Sequence, residues 1–86
     1  MDYMATVKEF IIENFLFGDG TNLEDNSSFF ENGIIDSTGI LELISFLEKK
    51  FNINVRDDEL SQENFDSITK VTAFLERKIA AEQSNA

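Results

Sequence analysis

Cysteine, histidine, proline and tryptophan are all absent from this chain of 86 residues. Without cysteine there is no disulfide and no thiolate ligand for a metal, so no covalent cross-link supports the fold. Without histidine and cysteine the chain lacks the usual general base at neutral pH and the strongest side-chain nucleophile. The composition therefore argues against an enzyme, and any covalent chemistry would use a group attached after synthesis.

Long apolar runs are also missing. No segment approaches the roughly 20 consecutive apolar residues that a membrane-spanning helix needs. The first residues, Met1 to Met4, lack the basic and apolar stretches of a secretory signal. We therefore expect a cytoplasmic protein that does not enter a membrane.

Basic residues are scarce, because 7 lysines and arginines stand against 17 aspartates and glutamates, for a formal net charge of −10. Phosphate backbones and anionic membrane surfaces would be repelled, so we expect no nucleic-acid or membrane partner. Protein partners are expected to carry basic docking patches, since complementary fields speed encounter. The same charge favours a monomer. A plainer interpretation is that the acidity only keeps the chain in solution.

What the chain does contain is helical periodicity. Apolar residues recur at spacings of three and four in three long segments, residues 3–16, 37–51 and 67–82. A fourth, short helix is expected within residues 57–65. The predicted fold class is all-α, a small bundle of three long helices plus one short helix.

A long first loop, residues 17–36, separates the first two helices. It begins at Phe17–Gly20, where a glycine is expected to cap the first helix. Apolar side chains within the loop can fix it onto the core, and they are Leu23, Phe29, Phe30, Ile34 and Ile35. Ser28 and Glu31 have the spacing of a capping box, which predicts one helical turn that ends near Gly33.

Capping residues mark the other two helix starts. Asp36 or Ser37 is expected to cap the second helix, and Asp66 or Ser67 the last helix. The short stretch 52–55 alternates polar and apolar residues, but no other segment offers it a strand partner. We interpret it as an extended link whose two apolar side chains point inward.

The most informative position is the Asp36-Ser37 pair before the second helix. A helix start leaves unpaired backbone N–H groups, and an aspartate or serine side chain can satisfy one of them. A phosphodiester on Ser37 would lie close to these N–H groups, at the positive end of the helix dipole. The residues by themselves permit phosphorylation, phosphopantetheine attachment or a plain helix cap.

An ordered set of short motifs narrows this choice. They are Gly33-Ile34-Ile35-Asp36-Ser37, Glu42-Leu43, Leu47-Glu48, Phe51-Asn52-Ile53-Asn54-Val55, Asp57-Asp58-Glu59-Leu60 and Asn64-Phe65-Asp66-Ser67-Ile68. In this order and spacing the set resembles the acyl carrier protein family, which includes peptidyl and D-alanyl carriers. The resemblance covers nearly the whole chain, so we predict one carrier domain over residues 1–82 and a frayed tail over residues 83–86. It implies a carrier and not an enzyme.

The resemblance implies that Ser37 receives 4′-phosphopantetheine from coenzyme A, through a separate magnesium-dependent phosphopantetheinyl transferase. The thiol of this arm would carry the cargo as a thioester, which supplies the nucleophile that the chain lacks. Asp36 would cap the helix and meet the transferase or its metal. Further implied partners are an acyl- or aminoacyl-activating ligase and downstream acyl-processing enzymes.

The outward face of the second helix is the implied docking surface for these partners. By position, the face holds Thr38, Leu41, Glu42, Ser45 and Glu48. A solvated helix face is the alternative for the glutamates, and core packing is the alternative for Leu41. Family members usually have a leucine where this chain has Thr38, and losing that contact removes about 1–2 kcal/mol of partner binding. We infer a specialised enzyme set and not the housekeeping fatty acid pathway.

The sequence leaves the cargo open among a fatty acid, a polyketide unit and an amino acid, and we expect a fatty acid-like, polyketide or nonribosomal peptide pathway. A long acyl chain could shelter between the helices, against residues that we otherwise assign to the core. These residues are Leu43, Leu47, Phe65, Ile68 and Val71, and the core assignment is preferred. The main rival function is an unmodified acidic helical module that binds a basic protein.

Two other functions fit poorly. A calcium-binding loop over residues 19–25 lacks the alternating oxygen ligands and the central glycine of such loops. A small hydrolase that uses paired carboxylates would need a substrate pocket, and nothing in the sequence indicates one.

Overall fold

The structure is a computed structural model that describes residues 2–21 and 23–84. It contains four α-helices, which are α1 (Tyr3–Phe15), α2 (Gly39–Phe51), α3 (Gln62–Phe65) and α4 (Ile68–Ser84). A turn of 3₁₀-helix, Asp57–Glu59, precedes α3. No strand occurs in the described ranges. The predicted all-α fold of three long helices and one short helix is confirmed.

The predicted helix boundaries are close to the observed ones. Helix α2 begins two residues later than predicted, and α4 continues to Ser84, two residues past its predicted end. Asn85 and Ala86, the last residues of the predicted frayed tail, lie outside the described residues. Asn22, from the disfavoured calcium loop, also lies outside them.

Helices α1 and α2 run antiparallel and meet mainly through aromatic side chains. Three pairs join them from one end to the other, and these are Tyr3 with Phe51, Phe10 with Phe46, and Phe15 with Gly39. The Phe10 and Phe46 rings stack with centroids 4.0 Å apart. A Cβ atom on Gly39 would lie 2.9 Å from the Phe15 ring, so only glycine allows this approach. The C-terminal end of α1 therefore lies against the N-terminal end of α2.

A single apolar cluster forms the core. Its completely buried members are Val7, Ile11, Phe29, Leu43, Leu47, Phe65, Ile68, Val71 and Leu75. The five residues that could have lined a shelter for an acyl chain are all in this set, with exposures of 0–1%. Their assignment to the core is confirmed.

The first loop is held against the start of α4 by one aspartate. The Asp66 carboxylate accepts hydrogen bonds from the Ser28 hydroxyl at 2.7 Å and from the Phe30 N–H at 3.1 Å. The backbone oxygen of Asp66 accepts the Phe29 N–H at 2.7 Å. We call this arrangement the Asp66 clasp. Asp66 follows Phe30 by 36 positions and Ser28 by 38 positions in the chain. The clasp therefore fixes the loop that leads to α2.

Asp66 and Ser67, the two residues before α4, have different roles. The Ser67 hydroxyl accepts the Lys70 N–H at 3.1 Å and so caps α4. The Asp66 carboxylate instead binds the first loop through the clasp. In the first turn of α4, the N–H and the hydroxyl of Thr69 both donate to the backbone oxygen of Asp25, at 2.9 and 3.0 Å. The first loop thus has two attachment points on the last helix.

The predicted helical turn inside the first loop is present. The Asn32 N–H donates to the Ser28 oxygen at 3.1 Å, and the turn ends at Gly33, which has a φ of +66°. The Ser28 hydroxyl accepts the Glu31 N–H at 3.1 Å, which is one half of the predicted capping box. In the link after α2, Ile53 is buried as predicted and Val55 is half-buried.

Glu59 ties the 3₁₀ turn to α4. Its carboxylate accepts hydrogen bonds from the Arg56 N–H and from the Lys78 ammonium group, both at 2.9 Å. Partial burial acts to raise the pKa of the Glu59 carboxyl, but these two hydrogen bonds and the two positive charges together outweigh it. The pKa of Glu59 therefore lies below its ordinary value.

This lowered pKa predicts a pH-dependent contribution to stability. Because the carboxyl binds its proton more weakly in the folded than in the unfolded chain, the contribution is complete above the unfolded pKa and is lost as the pH falls through the folded pKa. At pH 7, Glu59→Gln should lower the free energy of unfolding by about 1 kcal/mol. The difference from the wild type should become smaller when the pH is lowered from 7 to about 3, because more of the folded carboxyl is then protonated. Urea denaturation at both pH values measures it, with the exposed Glu63→Gln as control. An equal effect of Glu59→Gln at both pH values would contradict the prediction.

Candidate functional site

Asp36 organises the entrance of α2. Its carboxylate oxygen Oδ1 accepts the Thr38 N–H at 3.1 Å and the Gly39 N–H at 2.7 Å, and its backbone oxygen accepts the Ile40 N–H at 3.0 Å. This is the pattern of an N-cap residue. Of the two predicted caps, Asp36 therefore has this role. Ser37 and Thr38 form the entering turn, which explains why α2 proper begins at Gly39.

Ser37 directly follows this cap and is exposed. The preceding Ile35 is buried at 2% exposure, so the backbone is anchored immediately before the serine. The N-terminal end of a 13-residue helix, where the helix dipole is positive, lies next to it. A modifying enzyme could therefore reach the hydroxyl without disturbing the core, and a phosphate there would meet a positive helix end.

The predicted docking face of α2 is mostly open to solvent. Thr38, Leu41, Glu42 and Ser45 are exposed, and Leu41 has 59% of its surface accessible. Glu48 is half-buried, and its carboxylate accepts the Val55 N–H at 3.0 Å. Four of the five predicted positions thus form an accessible surface, while Glu48 also ties the following link to α2.

An open apolar pocket of about 160 Å³ lies beside this face. It is lined by Phe30, Ile40, Leu41, Ile44, Leu60, Ser61, Gln62 and Phe65. Leu60 is 44% exposed. Sequence reasoning did not assign Leu60 or Phe30 to a site. The available signal for Leu60 was an apolar residue that follows three acidic ones and belongs to no helical stripe.

Neither a metal-binding cluster nor a membrane-spanning helix occurs in the part of the chain that the structure describes. Within residues 2–21 and 23–84, no three acidic side chains are grouped to hold a metal ion. Asp19, from the calcium-loop hypothesis, accepts a hydrogen bond from the Thr21 N–H at 3.0 Å instead. None of the helices in the same part of the chain is long and apolar enough to cross a membrane.

The Asp36 cap yields a test of its own. Asp36→Ala removes the acceptor for two backbone N–H groups and should lower the free energy of unfolding by about 1 kcal/mol. Asp36→Asn keeps a capping oxygen and should have little effect. Thermal unfolding followed by circular dichroism separates the two variants. If both variants were equally destabilised, the charge of Asp36 and not its capping geometry would be the stabilising feature.

The protein has a four-helix fold, a compact core and an exposed serine directly after the N-cap of the second long helix. These features define a class, the small acyl-carrier-like domains. Comparison with known proteins gives the family. The chain is 36% identical over 75 residues to the D-alanyl carrier protein of Leuconostoc mesenteroides, covering 85% of this chain and 96% of that protein. For the D-alanyl carrier protein of Leuconostoc citreum the identity is 35%, with the same coverage. For that of Streptococcus pyogenes the identity is 33% over 73 residues, covering 83% of this chain and 92% of that protein.

The chain therefore belongs to the phosphopantetheine-binding carrier proteins, in the family of the D-alanyl carrier proteins. It is a carrier protein and not itself an enzyme, and the prosthetic group of the family is a covalently attached phosphopantetheine. No protein-family model matches the chain. A chain from a crystal structure of an FAD-dependent dehydrogenase shares the fold, with a TM-score of 0.72 and 23% identity over 80% of this chain and 97% of that one.

Proposed function

We propose that Ser37 is the attachment point of the 4′-phosphopantetheine arm, and that the protein carries an aminoacyl group, with D-alanine as the first candidate, between an activating ligase and a downstream enzyme. The observation that carries this proposal is the exposed Ser37 hydroxyl directly after the Asp36 cap. The names of the relatives support D-alanine over a fatty acid, a polyketide unit and the amino acids of nonribosomal peptide synthesis.

The residues around Ser37 fit this attachment. Asp36 uses its carboxylate on the Thr38 and Gly39 N–H groups, which fixes the backbone of the turn that holds Ser37. The neighbouring helix end favours a phosphodiester electrostatically. When attached, the arm supplies a thiol, the nucleophile that is missing from a chain without cysteine. A free thiol persists in a reducing compartment, which favours the cytoplasm.

Packing supports a small cargo. The five residues between the helices that could have lined a long acyl chain are 0–1% exposed, so the helices would have to separate to admit it. The open pocket beside α2 measures only about 160 Å³. That volume suits a few heavy atoms and not a long hydrocarbon chain.

The proposed partners follow the chemistry of each step. A phosphopantetheinyl transferase attaches the arm, an aminoacyl-activating ligase forms the thioester, and a downstream enzyme accepts the aminoacyl group. Thr38, Leu41, Glu42 and Ser45 are the proposed docking surface on α2 for these proteins. With a net charge of −10, the proposed carrier would attract basic docking patches.

Intact-mass measurement tests the proposal. The purified protein is incubated with coenzyme A, magnesium and a broad-specificity phosphopantetheinyl transferase, and the product is then digested to locate the added mass. We expect one phosphopantetheine per chain, on the peptide that contains Ser37. No mass gain under conditions that modify an established carrier protein would refute the proposal and leave an acidic interaction module. Attachment at another serine would refute the assignment of Ser37.

A further inference from the structure

Phe17 is the feature that the carrier role leaves unexplained. Its side chain is 100% exposed, and its φ of +55° lies in the left-handed region. Among the described residues, the other non-glycine residue with positive φ is Asn52, a type that tolerates this region well. A bulky aromatic residue in this conformation is strained. Phe17 thus combines an unfavourable backbone conformation with an apolar side chain that is exposed to water.

Hydrogen bonds on both sides hold Phe17 in this conformation. The Leu16 and Gly18 N–H groups both donate to the backbone oxygen of Ile12, at 3.2 and 2.9 Å. The Asp19 N–H donates to the Leu16 oxygen at 2.9 Å. The turn that follows α1 is therefore closed around Phe17 and directs its side chain into solvent.

Phe17 lies at the same end of the bundle as Ser37. Phe15, two residues earlier, packs against Gly39, two residues after Ser37. A surface pocket of about 290 Å³ separates the turn that holds Phe17 from the approach to Ser37. Leu16 and Asp19 line it on the side of the turn, together with Leu23, Ser27, Asn32 and Ile34. A protein that contacts the Ser37 hydroxyl would cover this end of the molecule.

The segment of the chain that contains Phe17 and Ser37 carries charge of one sign, and one of its acids, Asp25, pairs with Lys8 from outside the segment. Residues 9–48 contain nine acidic side chains and no lysine or arginine. Glu13, Asp19 and Asp36 are all exposed there. A surface that fits this region must therefore present basic residues, and for Phe17 it must present an apolar socket between them. A second copy of this acidic chain does not meet that requirement.

We propose that Phe17 is an apolar anchor that inserts into a socket ringed by lysine and arginine on the phosphopantetheinyl transferase that modifies Ser37. This inference rests on the proposed function. The transferase is the partner in question because it must contact the Ser37 oxygen itself, whereas later enzymes act on the thiol at the far end of the arm. Phe17 thus marks a second contact region, separate from the α2 docking surface.

Two substitutions at one position test the anchor. Phe17→Asn removes the aromatic ring and accepts the left-handed backbone, so the variant should fold at least as well as the wild type. Phe17→Leu keeps an apolar side chain. With a broad-specificity transferase as the probe, we expect Phe17→Asn to lower kcat/KM for modification about tenfold or more, mainly through KM. Phe17→Leu should keep most of the wild-type value. Added salt should slow the wild type and Phe17→Asn in parallel, because both keep the acidic ring.

The outcomes separate this inference from the proposed function. If the wild type is modified at Ser37 and Phe17→Asn matches its kcat/KM, the anchor is refuted while the carrier function stands. If the wild type is not modified at all, the carrier function fails, and the anchor fails with it. If sedimentation velocity shows that the wild type dimerises and Phe17→Asn does not, the occupant is a second copy of the chain, and the transferase socket is refuted.

Discussion

Ser37→Ala is expected to abolish arm attachment completely and to leave the fold unchanged. The hydroxyl is the proposed acceptor of the phosphodiester, and alanine offers no oxygen in its place. The side chain is exposed, so its loss should change the free energy of unfolding by less than about 0.5 kcal/mol. Intact-mass measurement after treatment with transferase and coenzyme A checks the first part, and urea denaturation checks the second.

Ser45→Ala is the matched control for this experiment. Ser45 is an exposed serine on α2, two turns further along the helix, and its variant should gain one phosphopantetheine just as the wild type does. Mass gain on Ser37→Ala would show that another hydroxyl is the acceptor. With the attachment lost, an aminoacyl-activating ligase should form no thioester on Ser37→Ala, because the chain contains no other thiol.

Phe29→Ala should be the most destabilising of the substitutions considered. Phe29 belongs to the first loop, yet its side chain is completely buried. Truncation of a buried phenylalanine costs about 3–5 kcal/mol, through lost burial and the cavity that remains. The total stability of a chain of this length is roughly 4–13 kcal/mol, so the loss would be a large part of it. Its Tm should fall by more than about 10 °C.

The neighbouring Phe30→Ala provides the comparison. Phe30 is half-buried and lines the open pocket, so its truncation leaves no closed cavity and should be clearly milder. Both variants keep the backbone N–H groups that donate to Asp66. Chemical denaturation of the two variants side by side measures the difference. Equal losses would mean that the first loop is not anchored through Phe29.

The helices and the cap before Ser37 were predictable because their signals are local. Apolar residues at spacings of three and four identified all three long helices, and the Asp36-Ser37 pair indicated a cap at the N-terminus of α2. The boundary was two residues early because Ser37 and Thr38 form the entering turn after the Asp36 cap. The inward position of Ile53 also followed from local alternation.

The features that sequence reasoning missed depend on individual side-chain hydrogen bonds and turn conformations, which residue spacing does not encode. Asp66 was expected as a possible helix cap, but its carboxylate bonds to Ser28 and Phe30, more than 35 positions earlier. Glu48 was assigned to the docking face, and its bond to the Val55 N–H depends on how the chain turns after α2. A glycine was expected to end α1, yet Phe17 as well as Gly18 has a positive φ. No local sequence pattern predicts any of these three arrangements.

The Asp66 clasp has a consequence for the order in which the molecule is made. Ser37 is synthesised in the first half of the chain, but the loop before it is fixed by Asp66 and Thr69, which follow about thirty positions later. No nascent fragment that ends before Asp66 contains these bonds. The presentation of Ser37 thus requires synthesis of the chain at least as far as Thr69, and a transferase that depends on this geometry would not act on shorter nascent fragments.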